Sequence, residues 1–167
     1  VHQYPEAQAL RRLLISFAVD CLFDVGANRG QYATMARRDA GYRGLILSFE
    51  PNPDIFALLE KRAAADPRWH VFNMALSDFD GTASFNIMAA DQFSSLKKPS
   101  GVQDAIFADR NKVTKTVEMQ CRRLDTLLPE LLAQHGFARP FLKMDTQGHD
   151  LSVCEGAGDA IGRMLGV

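Results

Sequence analysis

Two glycines and a carboxylate stand where a nucleotide-like ligand could bind. Gly26 and Gly30 frame a five-residue segment directly after an apolar run, and Glu50 follows the next apolar run. Glycine has no Cβ, so the backbone of such a loop can approach a ligand closely. A carboxylate at the end of the following strand can accept hydrogen bonds from both hydroxyls of a ribose. Each feature alone is equally explained by a tight turn or a solvated charge, but their order favours a nucleoside-type cofactor.

The residues around the glycines indicate which nucleoside cofactor to expect. Dinucleotide-binding loops have a second glycine two residues after the first, where the backbone closes on a pyrophosphate. Asn28 occupies that position, and Asp24 precedes the loop. A carboxylate attracts an ammonium group and repels a pyrophosphate. The pattern therefore favours S-adenosylmethionine, an adenosyl ligand with an amino-acid tail and no phosphate.

Short apolar runs alternating with helical periodicity predict an α/β fold with a parallel sheet. The runs predicted as buried strands cover 21–25, 45–49, 69–74 and 140–144. Helices are predicted over 5–18, from the glycine loop to Ala40, from Pro53 to about Ala65 behind an Asn52 cap, and from about His149 to the glycines at 156–158. Because ligands bind outside the carboxyl ends of such strands, the loops that follow them are expected to form the site.

The middle of the chain has a different pattern. Residues 83–87 and 117–121 alternate apolar and polar side chains, as half-exposed antiparallel strands do. The polar segment 89–115 between them is longer than most structureless connections. Its Ser94 and Ser95 are candidate acceptor-binding residues. Plain disorder explains that segment equally well.

Three further expectations concern helices and histidines. Leucines predict a helix over 123–134, which Pro129 is expected to restrict or divide. Cys154 is expected in the core, on one helix face with Leu151. The histidines at 2, 70 and 135 are scattered in the sequence and are interpreted as structural or surface residues.

Composition indicates a single soluble domain. Of the 167 residues 47% are apolar, and a net charge of -1 leaves no excess field to attract nucleic acid. No apolar stretch approaches the roughly 18 residues of a membrane span, and no secretory signal is visible. The three cysteines lack CxxC spacing, so we expect reduced thiols and a cytoplasmic location. The predicted parts are an N-terminal helix (1–19), cofactor-binding βα units (20–78), inserted strands and loop (79–122) and a later βα unit (123–167).

Six motifs follow one another between residues 20 and 158. They are FDVGANRGQYA (23–33), SFEPNPDIFALLEK (48–61), NMALSD (73–78), SSL (94–96), RRLDTLL (122–128) and LKMDTQGHDLSVCEGA (142–157). Together they resemble the FkbM family of methyltransferases. The resemblance implies a Rossmann-like class I methyltransferase sheet with helices on both faces, S-adenosylmethionine as donor, and O-methylation of a hydroxyl on a sugar or secondary metabolite.

The resemblance also implies roles for individual residues. The methionine end of the cofactor would be lined by four residues of the first motif: Asp24, Gly26, Asn28 and Gly30. Glu50, with Asn52 beside it, would hold the ribose, and Ala75 would border the adenine. Asp145 would lie near the methyl group. Asp150 stands where the family commonly has Glu, which shortens that acid by one methylene.

Three residues near the last predicted strand are candidates for proton transfer. In a strand, Lys143 and Asp145 would point to the same side. Histidine is the residue type best matched to proton transfer at neutral pH, although a position at a helix start disfavours the charged form of His149. We expect Asp145, with Lys143 or His149, to handle the acceptor hydroxyl. A solvated loop explains His149 nearly as well, and because no ligand spacing compels a cation site, no metal is predicted.

The end of the chain leaves two other classes open. The family's sheet continues after residues 155–157, whereas residues 163–167 would only begin the next strand, so we expect a sheet that is incomplete on its C-terminal side. An unpaired edge could favour a homo-oligomer. The alternatives are a noncatalytic, truncated binding module and an NAD(P)-dependent oxidoreductase. A small-molecule acceptor is the expected partner, with no nucleic acid and no membrane.

Overall fold

The structure is a computed structural model that describes residues 5–88 and 113–166. The helices in this part of the chain are α1 (Pro5–Ser16), α2 (Gln31–Arg38), α3 (Pro53–Ala63), α4 (Leu124–His135) and α5 (Asp150–Ala157). The strands are β1 (Cys21–Val25), β2 (Leu45–Phe49), β3 (Trp69–Phe72), β4 (Ala75–Leu76), β5 (Gly81–Met88), β6 (Val113–Arg122) and β7 (Pro140–Met144). A 3-10 helix follows at Gly158–Arg163. None of the described helices is long and apolar enough to cross a bilayer.

Four parallel strands form the central sheet, in the order β3-β2-β1-β7. The apolar runs predicted as buried strands supply all four, although the third ends at Phe72, two residues earlier than expected. In the register of the sheet, Asp24 of β1 lies between Ser48 of β2 and Lys143 of β7. The carboxyl ends of these strands therefore meet at one edge of the sheet.

Helices cover both faces of this sheet, as the resemblance implies. On one face, Leu22 and Ile46 pack with buried residues of α1, α2 and α3. On the other, Phe23 and Phe49 pack with leucines of α4 and with Val153 of α5. Phe23 and Phe49 are fully buried and stack at a centroid distance of 6.1 Å. The α/β architecture predicted from the apolar runs is confirmed.

A second, smaller sheet holds the inserted strands. It has the order β4-β6-β5, with β5 antiparallel to β6 as predicted and β4 parallel to β6. The sequence did not predict β4, because two residues are too few to show a period. Ser94 and Ser95 lie outside the described residues.

Two expectations about helices are wrong. Pro129 does not divide α4, which runs unbroken from Leu124 to His135. Four buried leucines fix this helix on the sheet at Leu124, Leu127, Leu128 and Leu131. At roughly 1.5–3 kcal/mol each they outweigh the roughly 3 kcal/mol cost of an internal proline. In α5, Leu151 is 68% exposed and Cys154 is half-buried, because the buried stripe runs through Val153, Gly156 and Ala157 instead.

Two of the histidines interpreted as scattered lie in contact. His70 of β3 and His135 at the end of α4 have ring centroids 4.4 Å apart. Burial, with a contribution from His70, lowers the pKa of His135. This pairing depends on how α4 packs on the sheet, so the sequence could not show it.

Candidate functional site

The glycine loop follows β1 and lies directly against the loop after β7. The amides of Gly26 and Ala27 both donate to the Phe49 carbonyl, at 3.1 and 3.0 Å. Gly26 has a φ of 70°, and a Cβ there would lie 2.1 Å from the Asp145 carbonyl oxygen. Only glycine fits a position with this conformation and this backbone approach. The first glycine thus brings the ends of β1 and β7 together.

Glu50 joins the loops after β1 and β2. Its Oε2 accepts a hydrogen bond from the Asn28 amide and its Oε1 one from the Asn52 amide, both at 2.8 Å. The residue is only 7% exposed. Burial raises the pKa of its carboxyl to about 7, and the hydrogen bonds from the two backbone amides partly oppose that rise. Each carboxylate oxygen keeps capacity for a further donor, such as a ribose hydroxyl.

Asn52 and Asn73 hold the loop after β2 in place. The Asn52 side chain accepts from the Asp54 amide at 3.0 Å and caps α3, as the sequence predicted. The Asn73 side-chain amide donates to the Glu50 carbonyl at 2.9 Å. Ala75, the candidate adenine neighbour, lies in β4, is buried and is paired with Cys121.

Asp24 and Lys143 form a partly buried ion pair beside the glycine loop. Asp24 is completely buried, and its Oδ1 accepts a hydrogen bond from Lys143 Nζ at 2.8 Å. The same ammonium lies 3.4 Å from the Gly26 carbonyl and 5.2 Å from the centroid of the Tyr32 ring. The sequence predicts that Asp24 faces the ammonium group of the cofactor's amino-acid tail. In the structure the ammonium that it faces is that of Lys143.

Asp145 stays open to solvent at the end of β7. It is exposed, and its Oδ1 accepts a bond from the Gln147 side-chain amide at 3.2 Å. Its partner is thus not Lys143. Asp150 accepts from the Thr146 amide at 3.0 Å and from the Thr146 hydroxyl at 2.5 Å, so this shorter acid closes the loop after β7.

His149 is buried against the end of β4. Its Nε2 lies 3.1 Å from the hydroxyl of Ser77, which itself donates to Asp78 at 2.9 Å. A hydroxyl has a single hydrogen, so this arrangement assigns the Nε2 hydrogen to His149. Ser77 lies in the motif at 73–78, but the sequence does not mark it as a site residue, because its contact with His149 depends on the packing of α5. A Cβ on Gly156 would lie 1.7 Å from the Ser77 carbonyl oxygen.

The structure therefore brings most of the predicted site residues to one edge of the sheet. No group of three or more potential metal ligands occurs among residues 5–88 and 113–166. An open cavity of about 650 Å³ lies elsewhere, between α2 and α3, with Arg38, Arg62 and Trp69 among its lining residues.

The comparisons identify the class of protein to which this fold and site belong. The family model described as the methyltransferase FkbM domain matches residues 24–165. This match spans most of the chain, and the chain belongs to the FkbM methyltransferase family.

Among solved structures, the chain is similar to the crystal structure of methyltransferase FkbM from Methylobacillus flagellatus KT, with 16% identity and a TM-score of 0.54. The match covers 86% of this chain and 30% of that one, so this chain spans under a third of the relative's length. At this identity the likeness concerns the fold. Comparison with curated proteins gave no match.

Proposed function

We propose that the chain binds S-adenosylmethionine at the carboxyl edge of the central sheet and transfers its methyl group to a hydroxyl of a small acceptor, a sugar or secondary metabolite. The observation that carries the proposal is Glu50, whose carboxylate is held by two amides at the strand end where ribose hydroxyls bind in such folds. Membership of the FkbM family supports the transfer of a methyl group.

The hydrogen bonds of the glycine loop support a cofactor without phosphate. All five amides of the loop donate within the protein: Gly26 and Ala27 to Phe49, Asn28 to Glu50, Arg29 to the Asn28 side chain and Gly30 to Ala27. A pyrophosphate-binding loop presents such amides to the anion. This loop has them committed, which argues against the dinucleotide alternative.

The residues at the end of β7 suit an acceptor hydroxyl. When bound, S-adenosylmethionine supplies a methyl carbon on a positively charged sulfur, open to in-line attack. As the O–C bond forms and the S–C bond breaks, exposed Asp145 would take the hydroxyl proton, an assistance worth on the order of 10² to 10⁴ in rate. His149, held by Ser77, would fix the loop that carries Asp145. Ser94 and Ser95 remain proposed acceptor contacts.

The test is calorimetric titration of the chain with S-adenosylhomocysteine, which has every contact group of the donor except the methyl. We expect binding with a Kd on the order of micromolar. Glu50→Ala should abolish it, and Glu60→Ala, which removes an exposed carboxylate of α3, should not. A parallel titration with NAD tests the oxidoreductase alternative.

Binding of NAD without S-adenosylhomocysteine would overturn the proposal in favour of an oxidoreductase. Binding of S-adenosylhomocysteine, with no methyl transfer from S-adenosylmethionine to any sugar or metabolite hydroxyl, would favour the noncatalytic module.

A further inference from the structure

A polar belt crosses the face of the central sheet that α1, α2 and α3 cover. The cross-sheet belt consists of one side chain from each strand: Trp69, Ser48, Asp24 and Lys143. Trp69 Nε1 donates to the Ser48 hydroxyl at 2.9 Å, and that hydroxyl donates to Asp24 Oδ2 at 3.4 Å. Lys143 donates to Asp24 Oδ1 at 2.8 Å. The belt therefore joins β3, β2, β1 and β7 in one hydrogen-bonded chain.

Fold stability gives little reason for such a belt. Its neighbours on this face are apolar, with Leu22 and Ile46 fully buried. Removing charges from water is costly, and apolar residues of similar volume often replace a buried ion pair without loss of stability. Ser48 and Asp24 are themselves fully buried. The role of the belt therefore lies in the residues that it contacts.

Both ends of the belt contact the glycine loop. At one end, Lys143 Nζ lies 3.4 Å from the Gly26 carbonyl. At the other, the Trp69 ring fills the space beside Gly30, where a Cβ would lie 2.8 Å from ring atoms Cη2 and Cζ2. The loop is thus held at its first and last residue by two side chains 74 positions apart in sequence, linked through Ser48 and Asp24.

We infer that the cross-sheet belt is a set of positioning residues that holds the loop from Gly26 to Gly30 in its cofactor-binding conformation. The inference rests on the proposed function, which makes this loop part of the cofactor site. In it Lys143 acts through Asp24 and Gly26, and not on the acceptor. A preorganised loop binds more tightly because less ordering is needed on binding.

The experiment measures amide hydrogen exchange without ligand in Lys143→Met, Trp69→Phe and Ser48→Ala. Trp69→Phe removes the indole donor together with the outer ring atoms that lie beside Gly30, and Ser48→Ala removes only the central hydroxyl. Each should accelerate exchange of the amides at 26–30 by about tenfold relative to the rest of the sheet. The control is Ile46→Val, which trims a buried side chain of β2 on the same face.

A double variant separates positioning from ordinary packing. Lys143 and Trp69 sit at opposite ends of the belt, so their effects on loop exchange should be non-additive if they act through Ser48 and Asp24. Independent packing defects would add. Lys143→Arg, which keeps a donor for Asp24, should recover part of the loop protection.

If the native protein binds S-adenosylhomocysteine, each of these variants should bind it about tenfold more weakly, equivalent to about 1.4 kcal/mol. Loop exchange within twofold of the native rate, or acceleration as general as in Ile46→Val, would overturn the inference. Failure of the native chain to bind S-adenosylhomocysteine would overturn the proposed function instead, because the exchange measurement uses no ligand.

Discussion

Replacement of Glu50 by Gln should change how the stability of the protein depends on pH. Burial raises the pKa of the Glu50 carboxyl from 4.5 to about 7 in the folded state. Between those values the folded protein keeps a proton that the unfolded chain has lost. The contribution of Glu50 protonation to the free energy of unfolding is therefore fully present below pH 4.5 and is lost as pH rises through 7. A shift of this size corresponds to about 3 kcal/mol.

The assay is urea unfolding of native protein and Glu50→Gln at half-unit intervals from pH 4 to pH 8. Glutamine does not ionise, so the difference in unfolding free energy should move by about 3 kcal/mol in favour of the variant as pH rises. Glu60→Gln, on the exposed side of α3, controls for the loss of a carboxylate. A difference between Glu50→Gln and native protein that stays constant with pH would refute the reasoning.

The same carboxyl should also link cofactor binding to protons. Ribose hydroxyls donate to the ionised form, so affinity for S-adenosylhomocysteine should rise with pH through about 7 and then level off. At pH 7 binding should release up to about half a proton, seen calorimetrically as a dependence of the binding enthalpy on the buffer. An enthalpy that is equal in all buffers would contradict this linkage.

Two further predictions concern single backbone and ion-pair positions. Gly26→Ala should lower the free energy of unfolding by about 3 kcal/mol or more, because its Cβ would lie 2.1 Å from the Asp145 carbonyl oxygen at a φ of 70°. The control is Gly162→Ala, whose Cβ would have no described atom within 4 Å, and it should be nearly neutral. Arg37→Lys should cost about 2 kcal/mol, because one ammonium cannot replace the guanidinium bonds to Asp66 and to three backbone carbonyls. Arg38→Lys, at an exposed neighbouring position, should stay within about 0.5 kcal/mol, and equal losses in the two arginine variants would contradict the assignment.

Local sequence signals were sufficient for the elements that position the site. The apolar runs at 21–25, 45–49 and 140–144 become β1, β2 and β7, because strands covered on both faces need apolar side chains at most positions. The Asn52 cap and the position of Glu50 follow from their immediate neighbours. These features depend on contacts between residues close in sequence, so sequence patterns reveal them.

Sequence patterns could not predict contacts between residues that are distant in the chain. The partner of Asp24 is 119 residues away, and only the register of β1 against β7 places Lys143 beside it. His149 reaches Ser77 because α5 packs on the end of β4, and two-residue β4 exists only through its pairing with β6. Pro129 shows the converse, since packing overrides a local signal that predicts a break.

The most direct test of the central claim is to map S-adenosylhomocysteine onto the backbone amides of the isotopically labelled chain by NMR. The account predicts that the largest shifts fall in 26–30, 50–52 and 73–77, at the edge where the strand ends meet. Shifts confined to the cavity between α2 and α3, or no shifts at ligand concentrations in the millimolar range, about a thousandfold above the expected Kd, would contradict it.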